Sequence, residues 1–168
     1  PYWGQAANYT QELIENAVSY LSELGADIKD VNLPGINEEI ESYHGIISGF
    51  EFSRTVSWER FNHQNELSKA LRDGRMKQGL NTSYKKYRDY TQILERLRLR
   101  YDEFLKKYDV LITPSASGEA PEGLDSTGNA IFNTISSILG TPVITLPIFK
   151  GPTGLPIGIQ LMLSLIHI

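Results

Sequence analysis

The sequence has 168 residues, of which 40% are hydrophobic and 21% are charged, and its formal net charge is −4. This length suits one domain with a sizeable core, and the acidic balance argues against nucleic acid as a partner. The lack of cysteine excludes disulfides, thiol catalysis and thiolate metal sites. Because no apolar run approaches the ~18 residues of a membrane-spanning helix, no membrane partner is expected.

The first predicted elements are two helices with a short strand between them. Residues 8–24 carry apolar side chains at helical spacing. Asn8 is the expected N-cap of this helix, and Gly25 is its expected left-handed C-terminal residue. Apolar residues within 28–33 predict a strand, and residues 37–53 repeat the helical period.

The longest predicted helix runs over residues 82–108, with Thr82 as its N-cap. It follows a polar stretch in which Gly74 and Gly79 weaken the helical pattern. Its broad face of tyrosines and aliphatic residues is typical of core packing. The same tyrosines leave open a different class of protein, a helical protein-interaction module, which would need them exposed.

A long loop separates the next two predicted elements. Residues 110–113 are a short buried strand, and residues 114–128 are rich in Gly, Ser and Pro. A loop of this length is usually functional or disordered. An apolar helix then begins near Ile131 and ends at Gly140.

The predicted fold class is α/β, with one mixed β-sheet covered by α-helices. The predicted strands are 28–33, 110–113, 143–147 and 157–162. The last two are joined by a turn-rich connection and are expected to pair antiparallel. Helices 8–24 and 82–108 are expected to pack over the sheet.

Local catalytic motifs are missing from the sequence. There is no nucleophile elbow, phosphate-binding loop or dinucleotide fingerprint. His44, His63 and His167 do not have metal-ligand spacing, so neither a metal nor another cofactor is expected. A Ser–His–Asp triad assembled in space from His44 or His63 stays open. The acids of the long loop are expected to be solvated.

Short motifs in the last fifty residues carry a resemblance to a known family. In chain order they are Tyr108-Asp109-Val-Leu-Ile-Thr-Pro114, Ser126-Thr127-Gly128 with Phe132-Asn133, Leu139-Gly140-Thr141-Pro142-Val143, and Gly154-Leu155-Pro156-Ile157-Gly158-Ile159-Gln160. In this order and spacing the chain resembles the C-terminal half of amidase signature enzymes. Residues 3–34 also resemble the family, so the likeness covers nearly the whole chain.

The resemblance implies a partial amidase-signature fold and a parent enzyme that hydrolyses small non-peptide amides. Such enzymes acylate a serine, while a second serine and a lysine relay the proton. These residues lie in the family's N-terminal half, and no Gly-Gly-Ser-Ser-Gly-Gly-type stretch occurs here, so no catalytic residue is carried over. Residues 1–162 are therefore expected to be the C-terminal part of an amidase domain, inactive alone, whose partners are the missing N-terminal half and an amide substrate.

The resemblance also implies a set of substrate-binding residues in the wall of the acyl-binding channel. They are Thr127, Gly128, Ala130, Ile131 and Thr134. On a helix, positions 127, 130, 131 and 134 would share one face, and an ordinary core helix is the alternative interpretation.

A missing catalytic half predicts an unfinished core. The residues expected to form an exposed apolar patch are Ile131, Ile135, Val143 and Ile159. After Gln160 the chain departs from the family pattern, so residues 163–168 are expected to be a non-native tail.

Two subclasses of the family stay open. The family includes tRNA-dependent amidotransferase A-type subunits, but Arg75-Met76-Lys77-Gln78-Gly79 does not match the Arg-Arg-Ile stretch of those subunits. A stand-alone amidase is therefore favoured, with a cytoplasmic location, and a homodimer stays open.

Overall fold

The computed structural model describes residues 2–33 and 39–164. The helices are α1 (Asn8–Glu23), α2 (Glu39–Thr55), α3 (Ser57–Asn62), α4 (Lys69–Leu71), α5 (Lys77–Asn81), α6 (Tyr84–Leu105) and α7 (Ile131–Leu139), and the strands are β1 (Leu111–Pro114), β2 (Val143–Lys150) and β3 (Pro156–Met162). The chain divides into two compact units, one of residues 1–34 and 100–168 and the other of residues 35–99. Most of the expected tail, 163–168, lies outside the described residues.

The three strands form an antiparallel sheet in the order β1-β3-β2. Met162 of the central strand lies opposite both Leu111 and Val143. The pairing of β2 with β3 shifts register between Leu146 and Phe149, where Pro147 has no N–H to donate. The predicted antiparallel pairing of the last two strands is confirmed, and so is the α/β class.

The prediction of a fourth strand over residues 28–33 is wrong. Among the described residues the sheet is purely antiparallel and not mixed as expected. A strand of a sheet covered by helices needs apolar side chains on its covered face. Asp27, Lys29 and Asp30 are exposed instead. Lys29 Nζ donates to the Asp27 carboxylate at 2.7 Å, so this segment keeps its charges in solvent.

The end of helix α1 follows the sequence prediction, but its beginning does not. Gly25 has the expected left-handed conformation, with φ 98°. Ala7, and not Asn8, occupies the N-cap position, without a side-chain capping bond. Gln11 does not cap the helix either, because its Nε2 donates to the Ala6 carbonyl at 2.9 Å and so leaves the free N–H groups of the first turn without an acceptor from this side chain.

Helix α6 is capped one residue later than predicted. Ser83 Oγ accepts a hydrogen bond from the Lys86 N–H at 3.2 Å. Thr82 does not cap α6, because its Oγ1 donates to the Gln78 carbonyl at 2.9 Å and so closes helix α5. Both hydroxyls lie at the same helix boundary, and sequence spacing does not distinguish their roles.

Helix α2 is the framework of the 35–99 unit, and α5 packs against it at two glycines. A Cβ on Gly79 would collide with the backbone of Gly49 and approach Ser53 Oγ to 2.7 Å. The absence of side chains therefore permits close contact between the helices. The predicted weak helical stretch before α6 contains three short helical pieces, with a kinked turn at Arg72–Met76 between α4 and α5, where Gly74 leaves helical geometry at φ −92° and ψ −109°.

The tyrosines of α6 are mostly packed. Tyr87 stacks on Phe50 with ring centroids 4.2 Å apart, and Tyr90 meets Tyr43 edge to face at 5.1 Å. Tyr101 is only 1% exposed. These contacts agree with the core interpretation and contradict the exposure that a tyrosine-based interaction module would need.

The predicted exposed patch is wrong in three of its four residues. Ile131, Ile135 and Ile159 are buried, and Val143 is half-buried. Ile131 packs with Ala6 and Phe132 in one cluster, so the N-terminal segment supplies the partner that sequence reasoning missed.

Exposed apolar side chains lie along strand β2 instead. Ile144 is 54% exposed, Leu146 37% and Ile148 59%. β2 is an edge strand, and beyond it no further strand pairs within the described residues. Within residues 2–33 and 39–164, no helix is long and apolar enough to cross a membrane.

Candidate functional site

The candidate site is the segment between β1 and α7, residues 115–130, together with the first turn of α7. We call residues 115–130 the β1–α7 loop. At its start, the Ser115 N–H and Oγ both donate to the Gly158 carbonyl, at 3.1 and 2.9 Å. Asn133 Nδ2 donates to the Ser115 carbonyl at 3.0 Å. These bonds fix the loop entrance between the central strand and α7.

Gly158 makes this entrance possible. A Cβ at Gly158 would collide with Ser115 Oγ and lie 2.8 Å from Thr145 Cγ2. The glycine therefore allows the Ser115 hydroxyl to approach the backbone of β3.

The beginning of helix α1 holds the middle of the loop. The Ala7 N–H donates to the Ser117 carbonyl at 2.7 Å. The Glu119 N–H donates to the Tyr9 hydroxyl at 3.0 Å. Two backbone groups of the loop therefore depend on α1, although more than a hundred residues separate Tyr9 from Glu119 in sequence.

Glu119 also ties the loop to the β2–β3 turn. Its carboxylate accepts hydrogen bonds from the Thr153 N–H at 3.1 Å, from Thr153 Oγ1 at 3.0 Å and from the Leu155 N–H at 2.9 Å. A Cβ on Gly151 would collide with this carboxylate. The expectation that the loop acids are solvated is wrong at Glu119, because the turn supplies donors that sequence spacing does not reveal.

A buried polar chain lies behind the loop. Gln160 is 1% exposed, and its Nε2 donates to Ser136 Oγ at 3.3 Å. Ser136 Oγ in turn donates to the Asn133 carbonyl at 3.1 Å. The Gln160 amide nitrogen therefore bonds a side chain of α7. Its Oε1 has no hydrogen-bond partner in the described part of the chain.

The predicted shared helix face of positions 127, 130, 131 and 134 is wrong, because α7 begins only at Ile131. Thr127, Gly128 and Ala130 are exposed in the loop. Gly128 has φ 85°, which interrupts helical geometry. Ile131 and Thr134 are the two that lie on the helix.

Local hydrogen bonds explain where the helix starts. The Gly128 N–H donates to Ser126 Oγ at 3.1 Å, and the Ile131 N–H donates to Asn129 Oδ1 at 3.0 Å. Thr134 is half-buried and Ile131 is 7% exposed. The exposed part of the predicted wall is therefore the glycine-bearing loop, whereas Ile131 faces the core cluster. A substrate role for all five residues stays a prediction.

The histidines do not complete a serine triad among the described residues. His63 Nδ1 lies 2.7 Å from Glu66 Oε1, and no serine hydroxyl bonds either His63 or His44 in the described ranges. Burial lowers the pKa of His44, and the nearby cation of Arg75 lowers it further. The β1–α7 loop thus offers hydroxyls and backbone groups that shape a surface, without a positioned base.

Comparison with known proteins gives the family. The Amidase family model matches residues 3–164. The chain therefore belongs to the amidase family, which confirms the resemblance read from the sequence motifs.

Curated relatives of the chain are much longer than it is. The A-type subunit of glutamyl-tRNA(Gln) amidotransferase from Prochlorococcus marinus is 26% identical over 93% of this chain and 38% of its own length. The corresponding protein from Ehrlichia chaffeensis, which carries the same name, is 27% identical over 95% of this chain and 39% of its own length. The chain therefore spans less than half the length of these relatives.

Solved structures agree on the fold. The crystal structure of an amidase matches with a TM-score of 0.79 at 23% identity, over 97% of this chain and 39% of that chain. The structure of 6-aminohexanoate cyclic dimer hydrolase matches with a TM-score of 0.77 at 17% identity, over 95% of this chain and 38% of that chain. At these identities the likeness establishes an amidase-signature fold and no particular substrate.

Proposed function

We propose that this chain is the C-terminal part of an enzyme that hydrolyses small non-peptide amides through a serine–serine–lysine relay located outside residues 1–168. The observation that carries the proposal is the family match over residues 3–164 combined with a span of 38% of a curated relative's length. In such a relay the serine oxygen attacks the amide carbon and the lysine takes the serine proton through the second serine. The proton then leaves with the amine, and water hydrolyses the ester.

In this proposal the chain completes the sheet and walls the substrate pocket. The exposed apolar side chains of β2 support the first role, because an edge strand of this character is normally covered or paired. The tethers of the β1–α7 loop support the second role. Ser115 and Glu119 hold the loop at two points, so exposed Thr127 and Gly128 would be presented to substrate on a fixed backbone.

A second candidate is a tRNA-dependent amidotransferase A-type subunit. The curated relatives described above carry that name, which favours it. The sequence before the long helix argues against this candidate, because Arg75-Met76-Lys77-Gln78-Gly79 does not match the Arg-Arg-Ile stretch of those subunits. The leading proposal also includes a cytoplasmic location, independence of cofactors and a homodimer. The cysteine-free composition is compatible with the reducing environment of the cytoplasm.

A serine-reactive fluorophosphonate probe tests the proposal. We expect the 168-residue chain alone to release no amine from aryl or aliphatic amides and to take up no probe. The polypeptide encoded with the sequence upstream of Pro1 should do both, with the labelled serine mapped by mass spectrometry outside residues 1–168. Labelling of Ser115 or Ser117, or turnover by the repurified 168-residue chain, would contradict it. Ammonia release from glutamine, without hydrolysis of the test amides, would favour the amidotransferase candidate.

A further inference from the structure

A cavity of about 550 Å³ opens in the 35–99 unit, away from every residue of the β1–α7 loop in sequence. Its wall comes from α3, the following loop, α4, the kinked turn at Arg72–Met76 and α5. This volume lies within the range of small-molecule pockets, ~300–1,000 Å³. The cavity is therefore large enough for a small organic molecule.

The side chains that line the cavity are predominantly positively charged. Four cationic side chains line it, namely Arg60, Lys69, Arg72 and Lys77, with one carboxylate, that of Asp73. The protein as a whole carries a net charge of −4, so this concentration of cations runs against the overall balance. None of these five side chains forms an ion pair within the described residues. The positive charge of the cavity wall is therefore not neutralised by the described residues, which favours binding of an anion.

Two of the four cations also have unsatisfied donors. The Nε atoms of Arg60 and Arg72 are buried and have no hydrogen-bond acceptor in the part of the chain that the structure describes. A buried N–H without a partner is costly, so the described residues leave the two guanidinium groups incompletely satisfied. The Arg60 guanidinium lies 4.1 Å from the Phe61 ring centroid, which holds its plane in place.

Apolar side chains complete the wall. Phe61 is 74% exposed and Leu80 47% exposed, and both line the cavity. Met76 also lines the cavity and is only 4% exposed. The packing of Gly79 against Gly49 fixes α5, and with it Leu80, on the unit's main helix. An anionic group beside an apolar group matches this combination of charge and surface.

We propose that this cavity binds a small organic phosphate, with the phosphate between Arg60 and Arg72 and its apolar part against Phe61 and Leu80. A phosphate monoester offers three acceptor oxygens to the two arginines and carries up to two negative charges, so it balances four cations and one carboxylate better than a carboxylate ligand does. The site is independent of the amidase proposal, because none of its residues belongs to the β1–α7 loop or to the predicted wall.

Calorimetric titration of the 168-residue chain with phenyl phosphate tests the site, with benzoate, inorganic phosphate and neutral benzyl alcohol as comparison ligands. We expect phenyl phosphate to bind most tightly and benzyl alcohol not to bind. Arg60→Gln and Arg72→Gln should each weaken phenyl phosphate binding about tenfold or more, because each removes charged donors. Arg96→Gln is the matched control, since Arg96 is exposed on α6 and outside the cavity wall.

Circular dichroism shows whether each variant is folded, and Lys77→Gln, at an exposed lining position, provides a second variant if Arg72→Gln unfolds. It should weaken binding and lower the salt dependence of the affinity. No binding of phenyl phosphate at concentrations up to about 10 mM would overturn the proposal. Equal binding of benzyl alcohol, tighter binding of benzoate, or an equal loss in Arg96→Gln would overturn it as well.

Discussion

Replacing Glu119 by alanine removes the acceptor that joins the β1–α7 loop to the β2–β3 turn. Three donors on Thr153 and Leu155 lose their partner at 2.9–3.1 Å. Hydrogen bonds to charged groups contribute ~1.5–3 kcal/mol when buried. Because these bonds are at the surface, we expect a total loss of about 2 kcal/mol in the free energy of unfolding, with about half of it for Glu119→Gln.

Urea denaturation measures this loss, and amide hydrogen exchange locates it. A loss of about 2 kcal/mol corresponds to a fall of roughly 4–8 °C in Tm for a chain of this size. The Thr153 and Leu155 amides should exchange faster in the variant. Glu122→Ala is the control, because Glu122 lies exposed in the same loop and forms no hydrogen bond within the described residues. Equal denaturation midpoints for the two variants, with unchanged exchange at Thr153 and Leu155, would refute the reasoning.

Three further variants test other parts of the structure. Burial and Arg75 lower the pKa of His44 in the folded state, so the unfolded state binds the proton more readily. The free energy of unfolding should therefore fall as pH drops below ~6.5. Urea denaturation at several pH values should show a smaller fall in His44→Gln and an unchanged fall in the control His63→Gln. Tyr101→Phe should leave stability unchanged or raise it by up to ~1 kcal/mol, because the hydroxyl is buried without a hydrogen-bond partner among the described residues, and a loss above that size in urea would reveal a missed partner. Gly158→Ala should cost about 1–3 kcal/mol through collision with Ser115 and Thr145, and Ser115→Ala in the same chain should recover part of it in the same assay.

The sequence predicted correctly those helix ends and strand pairings that depend on residues only a few positions apart. Gly25 and Gly140 end their helices in the left-handed conformation expected of them. The hairpin of β2 and β3 follows from two apolar runs with a turn-rich connection between them. These features depend on neighbours a few residues away, which a sequence displays directly.

Long-range partners account for the errors. Glu119 bonds the turn at residues 153–155, and Ala6 covers Ile131 from more than a hundred residues away. Neither contact has a periodic signature in the sequence. The anion-binding cavity was missed for the same reason, because Arg60 and Arg72 converge through the packing of short helices that the pattern left undefined. The predicted wall was assigned by family resemblance, and its shared helix face fails because Gly128 breaks the helix before Ile131.

The strand order β1-β3-β2 determines when this sheet can form during synthesis. Both pairings use β3, so a nascent chain that has not yet passed Pro156 contains neither of them. Until then β1 has no ladder partner, and its closure with Leu161 and Met162 spans about fifty residues. The helices can form as they leave the ribosome, whereas the sheet waits for the final strand. Premature termination a few codons before β3 would therefore leave helices without a sheet, a species with exposed apolar strands that proteases and chaperones recognise.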